Sequence, residues 1–587
     1  MRIRLIGPPH IDDGDKPRPV RGHQVWALLV RVLLADRPLT RSELSAELFP
    51  DTADPLGSLR WCLAAVRRAL SAPSALTGDP VAVDLPEHVT VDLLDLLAGR
   101  YDESEVGDLL EGVEPRCSAQ FDLWLMVQRQ RVAGRINACL RREVMAASAI
   151  GHTDRALALA ELAARRQMLD EGAQILLVAS LRAAGRYDAA AAAVDEVEER
   201  FGAELGTSPS PALRSAARAH IAAAPPGVPS RSRALSLLEA GQAALAAAAV
   251  DSGLETLRHA ARVAEESGDD QVLGRCLREL GTALVHAVRS HDDEGALLLE
   301  KAATVAASVG DWSTAAAARR ELGYVDALAG RRPDAEHHLA QAEAFVEGDT
   351  DLLAGIRAVR AFNLTDWGRV DEGLDEWGIA LDLARSAANP RRIAWALGLG
   401  GWAQVRAGDH RSAARWLREC LLLVSSSGWI SFRPWPAAAL AEAELAEGGP
   451  DRILDLHQEF TLSCQLSDPC WESATARALA LQAAVAGDTD GALTWVDEAR
   501  RRVGRETDVY VGMQGAILAT DIELSTSRGQ EDRAAASGRA LLELAARTHM
   551  NGYLVLAMTA LDAPTETRDT SSGRAARSRS GSGSTPM

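Results

Sequence analysis

Lysine is almost missing from this chain: Lys16 and Lys301 are the only two among its 63 basic residues. A phosphate-cradling loop needs glycine followed by lysine and a hydroxyl residue. Here Asp15 precedes Lys16 and Glu300 precedes Lys301, so that mode of nucleotide binding is excluded. Aromatic residues are also scarce, at 4%, while alanine and leucine abound. That balance favours helices over the aromatic and β-branched strands of sandwiches and barrels. The seven cysteines, at 62, 117, 139, 276, 420, 464 and 470, form no C-x-x-C pair. They read as buried thiols of a reducing compartment, not as a zinc or redox site. Neither H-E-x-x-H nor G-x-S-x-G occurs, so no enzyme activity, metal or cofactor is expected. No uncharged apolar run nears the roughly 18–20 residues that span a bilayer, and the opening Met1-Arg-Ile-Arg-Leu-Ile turns polar at once. A cytoplasmic protein without membrane contact is expected.

Positive charge is lacking overall, with a formal net charge of −19 over 587 residues. A chain that coats nucleic acid along its whole length is thereby excluded, because phosphate binding needs a positive surface. The deficit is uneven. Residues 1–70 hold eleven basic residues against eight acidic ones, so the net-basic folded segment is N-terminal. The length calls for several domains, each with its own core.

What is present begins with alternation over Arg2 to Ile6 and a second extended stretch at Pro17 to Arg21, a small N-terminal sheet. From His23 to Ala35 the positions Trp26, Leu29, Val30, Leu33 and Leu34 fall at helical spacing, and Asp36-Arg37-Pro38 ends the run. Thr40 and Glu43 have capping-box spacing ahead of a short helix, Arg41 to Phe49. Asp54 before Pro55 is a further start signal, for a helix running to about Leu70. Leu56, Leu59, Leu63, Val66 and Leu70 should form its buried stripe, leaving Arg60, Trp61, Ala64, Arg67 and Arg68 to project elsewhere. One face would anchor the helix while the other offers small residues and arginines to base edges or phosphates, as a recognition helix requires. Val81, Val83 and Leu85, then Val89, Val91 and Leu93, alternate about Pro86-Glu87-His88 as a hairpin does. Three helices and a hairpin make a winged helix. This wing would be acidic, with Asp79, Asp84, Glu87 and Asp92 and no Arg or Lys over residues 71–92.

The first 222 or so residues resemble the bacterial antibiotic-regulatory (SARP) activators, whose head is an OmpR-like winged helix. The stretches that carry the resemblance are Arg18-Pro-Val-Arg-Gly22, Leu28-Leu29, Pro38-Leu-Thr-Arg-Ser-Glu-Leu44, Leu48-Phe-Pro50, and Leu59-Arg60 through Arg67-Arg68-Ala-Leu70. The family's third helix carries asparagine where Ser58 stands and arginine where Ala65 stands. Phe121-Asp-Leu-Trp-Leu125 with Arg129 and Arg131, Ala156-Leu-Ala-Leu159 and Leu205-Gly-Thr-Ser-Pro-Ser-Pro211 resemble the family's next segment, the bacterial transcriptional activator domain. The resemblance implies double-stranded promoter DNA as a partner, contacted through Arg41, Ser58, Arg60, Trp61, Ala64, Arg67 and Arg68. It further implies contact with RNA polymerase or a second protomer on DNA. The nucleotide-switch domain of larger relatives is missing.

Gly151 and Gly185 sit in short turns 34 residues apart, the tetratricopeptide period of two antiparallel helices. Residues 225–234, rich in Pro and Ser, read as a linker between domains at 1–92, 93–224 and 235–562. In the last of these, turn glycines recur at 330, 368, 408, 448, 487 and 529. Near-constant spacing of about 40 residues is the mark of a solenoid of helix pairs, each pair burying its apolar face on the next. The expected fold is thus mainly α, a winged-helix head followed by tetratricopeptide-like solenoid domains. Tryptophans cluster in the array, among them Trp312, Trp367, Trp377, Trp395, Trp402, Trp416, Trp429, Trp435, Trp471 and Trp495. They read as filling between repeats, with an aromatic groove for a protein or peptide partner as the alternative. His337-His338 reads as a solvated pair, since neighbouring helix positions point about 100° apart and rarely chelate one ion. Residues 563–587 read as a disordered tail. The leading expectation is a DNA-binding regulator, an activator whose array senses a partner; the alternative is a helical-repeat scaffold whose head no longer binds DNA.

Overall fold

The computed structural model of the chain describes residues 1–14, 16–35, 37–86, 88–98, 100, 107–218, 230–246, 249–346, 348–448, 455–505 and 510–562. The expected tail lies outside these residues. So does the first half of the expected linker, and helix α10 already begins within its second half, at Arg231.

The head carries a four-stranded sheet in the order β3-β2-β1-β4, built from β1 (Arg2–Arg4), β2 (His10–Asp13), β3 (Lys16–Arg18) and β4 (Thr90–Val91). Beside it stand α1 (His23–Leu33), α2 (Arg41–Leu48) and α3 (Pro55–Leu70). The capping box forms as expected: Glu43 N donates to Thr40 Oγ1 at 3.2 Å, and Thr40 N donates to Glu43 Oε2 at 2.7 Å. Two orphan amides are thereby satisfied, which sets the start of α2.

The wing does not form as read from its alternation. Val81 bridges Leu39, Ala82 bridges Thr77, and Thr90–Val91 joins β1 as a parallel strand instead of pairing with the segment before Pro86. The reason lies at Asp92, whose carboxylate accepts the amides of Leu5 and Ile6 and so pins this stretch beside β1. Asp92 is 1% exposed, and its burial pushes the carboxyl upward against the pull of those amides. It therefore contributes nothing to an acidic wing surface. Glu87 lies outside the described residues.

The chain continues as α4 (Asp92–Leu97), the long α5 (Ala119–Ala149), α6 (Thr153–Arg166), α7 (Glu171–Ala183), α8 (Tyr187–Leu205) and α9 (Pro211–Arg218). Residues 107–113 return to the head, where Ile6 bridges Leu109 and Leu110 N donates to Leu5 O at 2.8 Å. One apolar core accordingly runs from Ile3 through Leu63 and Phe121 to Leu176. Each fully buried Leu or Ile in it contributes roughly 1.5–3 kcal/mol relative to exposure.

The array is a succession of antiparallel pairs: α10 (Arg231–Ala246) with α11 (Val250–Ser267), α12 (Asp270–His286) with α13 (Asp292–Ser308), α14 (Trp312–Leu328) with α15 (Arg332–Ala344), and α16 (Thr350–Trp367) with α17 (Val370–Ser386). It goes on with α18 (Pro390–Arg406) and α19 (His410–Ser427), α20 (Pro434–Ala446) and α21 (Leu456–Leu466), α22 (Pro469–Val485) and α23 (Thr489–Val503), α24 (Val511–Ser527) and α25 (Glu531–Arg547), closing on α26 (Asn551–Asp562). The six turn glycines all fall between the two helices of a pair, with φ from +69° to +95°. That left-handed conformation ends the first helix of each pair and favours glycine.

Trp377, Trp402 and Trp435 are buried, and Trp395, Trp416, Trp429, Trp471 and Trp495 pack around the same core. Filling between repeats is what these side chains do. The histidine pair departs from expectation. His337 is exposed, but His338 is 5% exposed and faces Asp326 at 3.5 Å, because α15 turns that position inward. All seven cysteines are free. No helix among the described residues is long and apolar enough to cross a membrane.

The array also curls back on itself. Arg332 is fully buried and donates to Ala327 O at 2.7 Å, while Tyr510 at the head of α24 donates to Asp366 on α16 at 3.1 Å. Along this closure lies α5. Arg141 pairs with Asp293, Arg142 with Asp334 at 2.7 Å, and Arg131 donates to Asn551 at 2.8 Å. Leu123 and Val127 share a cluster with Leu541, Leu542 and Leu554. A Cβ on Gly134 would stand 2.9 Å from Arg547 O, so the approach of α5 to α25 needs glycine there.

Candidate nucleic-acid interface

Helix α3 is fixed at both ends. Asp54 Oδ1 accepts Gly57 N at 2.8 Å over Pro55, and at the far end Arg18 of β3 donates to Ala69 O at 2.9 Å. Leu59, Cys62, Leu63, Val66 and Leu70 are buried against α1 and α2, the neighbours on which α3 rests. Burial pushes the Cys62 thiol up to about 11, so it is an inert packing group. Leu56, read from the sequence as the start of this stripe, is 48% exposed. It sits in the first turn of α3, before the helix enters the bundle.

The other face is open. Arg60 and Trp61 are exposed, Arg68 is exposed, and Ser58 and Ala64 are half-buried between them. The Arg60 guanidinium lies 3.7 Å from Asp54, both side chains being about two-thirds exposed, a pairing of little strength in water. Arg68 Nε reaches only the carbonyl of Ala64 in its own helix, at 3.3 Å. Trp61 stands over Gly22, whose φ of +100° turns the chain into α1.

Two of the arginines named from the sequence are placed differently. Arg67 donates to the carbonyls of Ala75 and Leu76 at 2.9 and 2.7 Å. Arg41 Nε donates to Gly78 O at 3.0 Å, while its amide donates to Asp79 Oδ1 at 2.9 Å. Together they brace the turn at 75–79, which stands beside α3 where a wing begins. Arg18 escaped the sequence reading as a site residue. Its position in a short edge strand gives no sign that it would tie the sheet to the end of α3. Arg60, Trp61, Ala64 and Arg68 form one solvent-facing strip, with Ser58 at its margin.

Residues 106–219 match the family described as the bacterial transcriptional activator domain. No curated protein matches the chain. Similar solved structures include aspartyl phosphate phosphatase F from Bacillus subtilis, 11% identical over 73% of this chain and 95% of that one, at a TM-score of 0.37. Yeast Tom70 is 10% identical over 75% and 91%, at 0.31. Mycobacterium tuberculosis EmbR in complex with a low affinity phosphopeptide is 18% identical over 37% of this chain and 63% of that one, at 0.29. The domain match lies behind a small head of one sheet and three helices, and ahead of a helix-pair array. The chain therefore carries a bacterial transcriptional activator domain over residues 106–219.

Proposed function

We propose that this protein is a cytoplasmic transcription regulator, an activator, whose head binds double-stranded promoter DNA through the open face of α3. The observation that carries the reading is that face itself: Arg60 and Arg68 project from a rigidly capped helix with no strong acidic partner, on either side of the small Ala64. Such a strip admits close approach to a groove, with guanidinium forks able to take guanine edges or phosphates. Trp61 and the exposed Leu56 supply apolar contact beside them. Arg67 and Arg41 act indirectly, by holding the turn at 75–79. The activator domain would contact RNA polymerase or a second protomer on repeated half-sites, and the array a protein or peptide partner.

Fluorescence anisotropy of the full chain on DNA from its own promoter region, across a range of salt, tests the reading. Arg60→Ala with Arg68→Ala should weaken specific binding roughly tenfold to a hundredfold, and the dependence of log affinity on log salt should become shallower by about one to two. Unchanged specific binding in the double variant would leave the scaffold reading, in which the exposed Asp54 and Asp84 make the head a docking surface for protein.

A further inference from the structure

Where α5 meets the array there is a cavity of about 440 Å³, a size that suits a small molecule. Besides the start of α7 at Leu169–Ala173, three parts of the chain wall it. Arg135, Asn137 and Arg141 come from α5, the turn at Arg331–Asp334 from the early array, and Gln514, Arg547 and His549 from its end. Gly134 and Ala138 make room on the α5 side, at helical steps from Arg141.

The polar atoms of this wall are unevenly satisfied. Arg135 Nε, Arg141 Nε, Arg141 Nη2 and Asn137 Oδ1 are buried without a hydrogen-bond partner. Buried polar groups are paired as a rule, and exceptions call for an explanation. The acids around them are already engaged. Asp293 takes Arg141 Nη1, Asp334 takes Arg142, Asp170 accepts Ala173 N at the start of α7, and Glu171 accepts Ser210. What is left over, on residues that all line this one cavity, is three guanidinium N–H donors and one amide oxygen. An acidic group meets the donors, and a hydroxyl or amine meets the oxygen.

We propose that this junction is a binding site for a small anionic ligand, a carboxylate- or phosphate-bearing molecule with at least one hydrogen-bond donor, and that its occupancy couples the activator domain to the α14–α15 turn and the last helices of the array. The coupling follows from the walls: a ligand that draws contacts from all three parts stabilises the docked arrangement over any in which α5 has moved away. The proposal is independent of DNA binding, because no wall residue belongs to the head.

Calorimetry and thermal unfolding of the full chain, with inorganic phosphate and with citrate as probes and sodium chloride at matched ionic strength as reference, test it. At least one probe should give a saturable heat and raise the unfolding midpoint on the order of 2–4 °C. Arg135→Gln and Asn137→Leu, neither of which breaks an ion pair, should each weaken that binding, the former about tenfold or more. Response to phosphate alone or citrate alone identifies the acidic group. Hydrogen exchange should slow in residues 134–141 and in 511–514 together. The site is refuted if neither probe exceeds sodium chloride, or if the response survives both substitutions, as a general salt effect on the surface would. Protection confined to α5 refutes the coupling. A chain that bound no DNA would still give the heat, so the two readings fail separately.

Discussion

Helices α3 and α5 both carry arginines, yet they put the same side chain to opposite uses. On α5, Arg129 donates to the carbonyls of Leu109 and Val113, Arg141 meets Asp293, and Arg142 meets Asp334. On α3, Arg60 and Arg68 are exposed, Arg68 touching only a carbonyl of its own helix, while Arg67 turns to the backbone of another segment. The difference lies in what surrounds each helix. Helix α5 is packed on several sides, so its guanidinium groups must be satisfied inside, by carbonyls and carboxylates. Helix α3 rests on α1 and α2 on one side, and its outer arginines keep their donors for whatever arrives from solution. An arginine count predicts neither use; the partner each guanidinium finds in the folded chain decides it.

The sharpest way to break this comparison is to remove one arginine from each helix. Arg142→Ala leaves Asp334, only 5% exposed, beside Asp326 without the guanidinium that pairs with it. The cost should be about 3 kcal/mol, read as a lowered urea midpoint. Arg60→Ala should cost less than about 0.5 kcal/mol by the same measure, because its side chain is exposed and its one ion pair is weak. Equal losses would show that α3 is as much a structural strut as α5.

Those parts of the fold governed by local rules were legible in the sequence. Thr40 with Glu43, Asp54 with Pro55, and the turn glycines each act within a few residues, and the elements they announced formed where they stood. The wing was not legible, because alternation reports which side chains face inward but not which strand is the neighbour. Thr90–Val91 found β1, almost ninety residues away. The docking of α5 was equally invisible, since Arg131 with Asn551 and Arg142 with Asp334 are meetings of distant residues without a local signature. For the candidate interface, periodicity gave the outward face of α3. It could not allot Arg67 and Arg41 to carbonyls in an irregular turn.

Acid sharpens the contrast from the inward side. His338 lies one turn beyond Asp334 on α15, and burial, helped by Arg319, holds its pKa down at about 4 despite Asp326 and Glu300. A histidine whose folded pKa lies below its unfolded value near 6.5 binds its proton more readily in the unfolded chain. Its contribution is therefore whole above pH 6.5 and falls away as the pH drops from 6.5 toward 4. At pH 5 the loss should be about 2 kcal/mol relative to pH 7. In His338→Gln the drop in urea midpoint between those pH values should shrink by that amount. An unchanged drop would assign the acid sensitivity to other groups.

Arg67 stands between the two uses, on the outward helix but turned to the backbone, and its effect should lie between those of Arg142 and Arg60. Its two hydrogen bonds hold the turn at 75–76 to α3, and losing both in Arg67→Ala should cost about 1–2 kcal/mol of stability. Arg67→Lys should recover roughly half, because one ammonium cannot span both carbonyls with the geometry of a guanidinium fork. On DNA, Arg67→Ala should weaken binding less than the Arg60 and Arg68 pair, since the fork is already engaged with the turn. The opposite result, a large loss of DNA affinity with no change in unfolding, would mean that Arg67 leaves the turn for the duplex. The division between inward and outward arginines would then lie between helices α3 and α5, and not within α3.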